Sequence, residues 1–411
     1  MSDHGRPRRR EAGQPSLLRA INLRAVFERI RLRGPVGAPE LTRESGLSRP
    51  TVGEVLSQLL ELGLVRRAGT ARGSRGPGAQ LYAVDPAAGW VLGLDIGREW
   101  VRAALTDLTG VTVARSASRT VSTSAAALIA QLRSAAEQLT TEAAIGLTDL
   151  DQVVVGTPGV IRPGDDHLSL APNLPSWEGP EVVSSIRAAL VAPVQFENDV
   201  NLAAVGEHVQ GIARGVDDFV LLSVGTGVGM GVILDGELRR GAGGLAGEVG
   251  YLDLDLDLDR TDARPRAAWG RGAFEALTSS AAVIELARAE GLTGVATAAD
   301  VFGLARAGDV AARTVVHAEA RRLGHAIAAI AAVLDPELVI LGGGIGAGAG
   351  DLLLGPVTDT LQTISPFSPR LAVSSLGSDA VLAGAAALGL RPALDRIFER
   401  AVRLSATAIP A

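Results

Sequence analysis

Phe196-Glu197-Asn198-Asp199-Val200-Asn201 is the stretch on which the fold turns. Behind it, Val191, Pro193 and Val194 read as a buried strand. Ahead of it, Leu202, Ala203, Ala204 and Val205 open a helix. A carboxylate and two amides therefore stand at a strand-to-helix corner, where open α/β sheets place their ligands. Asp199 can accept a proton or a hydrogen bond from a hydroxyl, and Asn198 can both donate and accept. That mix suits a polyhydroxylated ligand such as a sugar. The plainer reading is that Asn198 and Asp199 cap the next helix. The hexapeptide alone favours the cap; its surroundings favour a site.

Three further corners flank it. Val91-Leu-Gly-Leu-Asp95-Ile-Gly97 is a buried strand running into a turn, with Val101 to Thr106 as its hairpin partner. Phe219 to Gly231 reads as a strand, a glycine hairpin and the start of a second strand. Leu338 to Gly344 is another strand ending in glycines. Glycine lets backbone N–H groups approach an anion closely, and Thr226 adds a hydroxyl between Gly225 and Gly227. Val153 to Gly159 is a fourth buried strand, followed by Asn173 in a loop. Helices are expected over 125–144, 274–289, 311–334 and 380–390. Leu252 to Asp259 alternates Leu and Asp, the pattern of a half-exposed strand. Its acids lack the spacing of a calcium loop, so they form a solvated face.

The first 85 residues have another character. Ala20, Leu23, Phe27 and Ile30 recur at helical spacing, giving a helix over 16–33. A short helix over 39–45 leads through Gly46-Leu47 to Ser48, a good N-cap, with Pro50 tolerated in the first turn. Val52, Val55, Leu56, Leu59 and Leu62 are the buried stripe of a third helix. Two short helices about a glycine turn make a helix-turn-helix, which sets the start of its second helix in the major groove. Ser48, Arg49 and Thr51 are the candidates for base edges. Strands over 64–67 and 80–84 enclose a basic wing in which Arg72 and Arg75 can reach phosphate or the minor groove.

Charge agrees with that division. Residues 1–85 carry 15 Arg against 8 acidic residues, while the whole chain has net charge −6. A basic head on an acidic body points to a polyanion partner for the head alone. The chain contains no cysteine and no lysine, so all 39 basic residues are Arg. Thiolate metal sites and the P-loop lysine are therefore excluded. No run of about 18 apolar residues occurs, so no membrane span is expected. Neither is a secretory signal, and a cytoplasmic protein is the expectation.

The corners, the head and the Asn198–Asp199 pair occur in one order, and in that order the chain resembles the ROK family, named for repressors, open reading frames and kinases. The resemblance runs from about Leu17 to Leu390 and implies an α/β fold. A winged helix-turn-helix would precede an actin-like (ribonuclease H-like), two-lobed, sugar-kinase-type domain. The expected division is a basic tail over 1–15, a DNA-binding domain over 16–86 and a sugar-binding domain over 87–411. By resemblance the sugar contacts are Asn173, Asn198, Asp199, Glu248 and Glu275, with Tyr251 as a further donor where the family has a His, and Asp199 would be the catalytic base of a kinase. The phosphate loops fall at Asp95, Gly97, Gly225, Thr226 and Gly227.

Two departures matter. Where the family's kinases read Asp-Ile-Gly-Gly-Thr, this chain reads Asp95-Ile96-Gly97-Arg98-Glu99. Glu99 would place negative charge near a phosphate, a repulsion of roughly 4 kcal/mol at 4 Å and an effective dielectric near 20. Tyr251 stands where the family has a zinc-binding His, and Asp253 to Ala273 contains neither Cys nor His, so no metal is expected. The reading is a sugar-responsive transcriptional repressor, not an enzyme and without cofactor. Its partners would be operator DNA and a sugar or sugar phosphate, and it would form a homodimer or homotetramer. The alternatives are a sugar kinase with an appended DNA-binding domain and a constitutive DNA-binding protein whose ROK domain serves only for dimerisation.

Overall fold

The computed structural model describes residues 15–71, 78–121, 124–161, 168–169, 180–254 and 272–407. It divides into two compact units. The first comprises the chain through Val91, Thr106–Val113 and the residues from Leu390 on; the second comprises Leu92–Leu105 and Ala114–Gly389.

The first unit opens with α1 (Pro15–Arg33), β1 (Val36–Gly37), α2 (Ala38–Ser45), α3 (Arg49–Glu61), β2 (Val65–Thr70) and β3 (Gln80–Val84). Gly46 takes φ 70°, a left-handed conformation, and so stops α2. Ser48 then caps α3, its Oγ accepting from Thr51 N. Val52, Val55, Leu56 and Leu59 are buried on one side of α3. They pack with Leu23, Val26, Phe27 and Ile30 of α1 and Leu41 of α2. The strands order β1-β3-β2, so β2 and β3 form the wing. This is the winged helix-turn-helix that the sequence led us to expect.

The second unit holds most of two five-stranded sheets. The first sheet uses β4 (Trp90–Ile96), β5 (Trp100–Asp107), β6 (Thr112–Arg119) and β7 (Gln152–Thr157), with α4 (Ala125–Glu142) between the last two. A small ribbon, β8 (Val160–Ile161) with β9 (Leu168–Ser169), and α5 (Pro180–Leu190) precede β10 (Val194–Asn198), which leads into α6 (Asp199–Val209). The sheet order is β10-β7-β4-β5-β6, and β10 runs parallel to β7.

The second sheet is built from β11 (Phe219–Val224), β12 (Val228–Leu234) and β13 (Glu237–Leu238). It is completed after α7 (Glu275–Thr278), α8 (Ser280–Ala289), α9 (Ala298–Arg306) and α10 (Val310–Leu334) by β14 (Leu338–Gly342). Then come α11 (Gly343–Gly348), α12 (Gly350–Ile364), β15 (Arg370–Val373) and α13 (Ala380–Thr407). Its order is β13-β12-β11-β14-β15, with β11 parallel to β14 and β14 to β15. β14 is buried throughout, which explains its unbroken apolar run. Helix α6 leaves the first sheet and lies on β12 of the second. A Cβ on Gly231 would stand 2.5 Å from Ala204 Cβ, so this close approach requires glycine. The two-sheet, two-lobed α/β body agrees with the expected fold.

Three local expectations change. The helix expected over 274–289 breaks at Ser279, which is extended at φ −65°, ψ 163°. The break lets Ser280 N donate to Gly225 O at 2.7 Å. The closing helix, expected to end at Leu390, continues to Thr407 through Pro392. Of the Leu–Asp alternation, residues 252–254 form no strand, and 255–259 lie outside the described residues.

Candidate ligand cleft and DNA-binding face

The carboxyl ends of β4 and β10 carry the expected acids. Asn198, paired in register with Thr157, is the N-cap of α6. Its Oδ1 accepts from Val200 N at 2.9 Å and Asn201 N at 3.1 Å, and its Nδ2 donates to Gly159 O at 3.2 Å. The capping reading is thus what its carbonyl does. Asp199 follows, half-buried, with Val200 N donating to its Oδ1 at 2.9 Å. Burial pushes the Asp199 carboxyl up to about 7, and the charges of Asp95 and Glu248 push the same way. Asp95 is 5% exposed and rises to about 6 because burial outweighs Arg102, whose Nη1 lies 3.3 Å from its Oδ2.

A second cluster adjoins the first. Burial and the Glu275 charge raise the Glu248 carboxyl. Burial, Glu248 and Glu275 together raise the Tyr251 phenol. Glu275 is fixed by Val228 N, which donates to its Oε2 at 3.1 Å at the start of β12. Asp95, Asp199, Glu248, Glu275 and Tyr251 thus share one electrostatic neighbourhood. Asp95, Asp199 and Glu248 are raised together, and hydroxyl donors would relieve their repulsion, which makes the cluster a candidate ligand site. Asn173 lies outside the described residues.

Two of the three glycine corners meet. Gly225 N donates to Gly227 O at 3.0 Å and closes the hairpin that displays Thr226. Gly343 takes φ +74°, where a Cβ would sit 2.5 Å from Val224 O, so the third corner is pressed against the second. At the first corner Gly97 N donates to Trp100 O at 2.9 Å, and Thr120 Oγ1 to Gly97 O at 2.8 Å. Glu99 is exposed and pairs with Arg119 at 3.2 Å; the guanidinium of Arg119 also lies 4.5 Å from the Trp100 ring centroid. The lone negative charge expected from Glu99 is therefore balanced by a cation, and the repulsion argued from sequence is weaker than it looked. Among the described residues no group of His, Asp and Glu is arranged to hold a metal.

Among the buried acids that the sequence reading did not single out, two lie at the ends of α6. Glu197 sits beside the Asn198 corner and is 7% exposed. Glu207, at the far end of α6, is fully buried. Its carboxylate accepts from Ser374 Oγ (2.6 Å), Ser375 Oγ (2.9 Å), Leu376 N (2.9 Å) and Ile212 N (2.9 Å). The carboxyl stays below the usual range: burial works against ionisation, but those donors outweigh it. Neither a Glu just before Asn198 nor one near the end of the following helix carries a local signal of such a role.

In the head, Ser48 and Arg49 are exposed at the start of α3, and Thr51 is half-buried with its hydroxyl 2.8 Å from that of Ser48. Gly53, Glu54 and Ser57 share the exposed side. Arg66 and Arg67 on β2 are exposed too and were not singled out from sequence. Arg72 and Arg75 lie outside the described residues. No helix among the described residues is long and apolar enough to cross a membrane.

Comparison with known proteins adds names to both parts. The ROK family matches residues 91–391, and the IclR helix-turn-helix domain matches residues 25–69. A glucokinase of Halalkalibacterium halodurans is 30% identical over 72% of this chain and 93% of its own length. The xylose repressor of Caldicellulosiruptor bescii is 25% identical over 92% of this chain and 97% of its own. Among solved structures, a ROK family transcriptional regulator homologous to the E. coli MLC protein superposes with TM-score 0.75 at 22% identity, over 94% of this chain and 99% of that one. A Streptomyces griseus ROK glucokinase gives TM-score 0.62 at 26% identity, over 74% and 100%.

Proposed function

The chain belongs to the ROK family, and from that premise we propose that it is a sugar-responsive, DNA-binding transcriptional repressor. The observation that carries this reading is the helix-turn-helix match over 25–69 joined in one chain to the ROK match over 91–391. Residues 16–86 would bind operator DNA through Ser48, Arg49 and Thr51, with Arg72 and Arg75 on phosphate or in the minor groove. Residues 87–411 would bind a free or phosphorylated sugar. Asp199, Glu248 and Glu275 accept from its hydroxyls, Asn198 and Asn173 complete the contacts, and Tyr251 donates to a ring or hydroxyl oxygen. A palindromic operator calls for a homodimer or a homotetramer, and the cytoplasm is the compartment in which such a regulator works.

Phosphoryl transfer is not part of the proposal. By resemblance Asp199 would be the base of a kinase, but Arg98-Glu99 replaces the Gly-Thr of the family's kinases at the first corner. On this reading the first corner lacks the family's close backbone approach to phosphate, and Asp199 serves as an acceptor only.

The deciding experiment combines operator DNA selected from a random pool with a panel of free and phosphorylated monosaccharides, read by fluorescence anisotropy. Operator affinity should change with one sugar by about 5–150-fold. Selection of no sequence, or sugar-dependent ADP release from ATP at about 1–100 per second, would sink the reading.

A further inference from the structure

Glu197 occupies the same hexapeptide as Asn198 and Asp199, yet its carboxylate turns to other partners. Its Oε1 accepts from Asn201 Nδ2 at 2.9 Å and from Asn198 N at 3.1 Å. Its Oε2 accepts from Arg240 Nε at 2.6 Å. Glu197 is the penultimate residue of β10 in the first sheet, whereas Arg240 follows β13 of the second. From Arg240 the chain makes a short loop, closed by Ala246 N donating to Arg240 O at 3.0 Å, and arrives at Glu248. One ion pair thus ties the corner that presents Asn198 and Asp199 to the loop that delivers Glu248.

We infer that Arg240 is a positioning residue of the ligand site, acting through Glu197 to hold the two walls of the cleft in register. The inference rests on the sugar-binding reading given above. A stability role alone explains the pair poorly, because a buried ion pair contributes little over apolar residues of similar volume. What an ion pair adds is direction: the carboxylate has one geometry that satisfies Asn201, the Asn198 amide and Arg240 together. The pair is also lopsided. Glu197 is 7% exposed, while the Arg240 side chain is 38% exposed. Removing Arg240 strands a buried charge; removing the charge of Glu197 leaves a cation that water can solvate.

That asymmetry makes the test. Affinity for a panel of monosaccharides including D-glucose, D-xylose and N-acetyl-D-glucosamine is measured by calorimetry for the wild type, Arg240→Gln, Arg240→Lys, Glu197→Gln and the double variant Glu197→Gln/Arg240→Gln. Circular dichroism at the same temperature establishes that each is folded, and Arg240→Lys supplies the comparison if Arg240→Gln is not. Arg240→Gln and Glu197→Gln should each lose about tenfold or more in affinity, since either breaks the tie between the two walls. The double variant should lose no more than either single one, because both substitutions break one interaction, whereas direct contact between Arg240 and sugar would add a further loss. The asymmetry shows in stability: Arg240→Gln strands the buried charge and should melt lower than Glu197→Gln. Wild-type affinity in either single variant, or additive losses in the double variant, overturns the inference and leaves the sugar reading intact. No binding of any sugar to the wild type overturns both.

Discussion

Phe27 of α1 and Phe398 of α13 meet edge to face, with ring centroids 5.3 Å apart and planes at 82°. Leu394 and Ile397 lie in the same apolar cluster, and Arg24 pairs with Asp395. The DNA-binding head is therefore completed by residues that follow the body in sequence.

Phe398→Ala should destabilise the first unit by about 3–5 kcal/mol, the usual cost of deleting a buried aromatic ring. The readout is amide hydrogen exchange in α1, together with operator affinity. Unchanged protection of α1 in the variant would show that the ring pair is incidental.

Asp199 titrates near neutrality, at about 7. Because its folded value is raised, stability from this group is full below about 3.8 and is lost as pH rises through about 7. A sugar hydroxyl donating to the carboxylate favours the charged form and pulls the value back down. Sugar binding near pH 7 should therefore release protons, and Asp199→Asn should abolish the release. Calorimetry in two buffers of different ionisation heat measures it; equal apparent enthalpies in both buffers count against the placement of Asp199.

Glu319 in α10 is 1% exposed, and neither carboxyl oxygen has a hydrogen-bond partner. Burial pushes it up to about 8 from 4.5, against a weaker pull from Arg322. Between those values the folded state holds a proton that the unfolded chain gives up. Stability should fall with rising pH across that window by about 1.4 kcal/mol per unit. Glu319→Gln should flatten that slope. Urea midpoints of both proteins near pH 6 and pH 8 make the comparison, and parallel slopes would refute the assignment.

Val191 joins α5 to β10 at φ +57°, a conformation that strains a β-branched residue. It is 55% exposed, so no packing compensates. Val191→Asn or Val191→Gly should stabilise the second unit by about 1 kcal/mol. A lower melting temperature in both variants would show that the valine contributes something its exposure hides.

Much of this was legible in the sequence because its causes are local. The Ser48 cap, the α3 stripe and the Asn198–Asp199 corner each depend on residues within a few positions. What stayed hidden depends on distance along the chain. Glu275 is held by Val228, 47 residues away. Glu197 meets Arg240 across 43 residues, and Glu207 meets Ser374 across 167. The helix expected over 380–390 runs on through Pro392 in α13, where the apolar stripe of Leu394, Ile397 and Phe398 keeps the chain helical beyond it. Glu319 resembled any other charged residue on a helix, since burial is set by what packs over it.

The late arrival of Phe398 also bears on synthesis. Arg24 and Asp395 are 371 residues apart, so at ordinary elongation rates the ribosome makes the second about 20–70 s after the first. The head leaves the ribosome first and acquires its last core side chains after the body has been translated. A message that ends early would yield a chain whose recognition helix has no finished core behind it, and such a chain should fail to occupy an operator. Nascent chains stalled at about residue 385 should accordingly lose α1 to protease faster than released full-length protein, linking competence for repression to completion of translation.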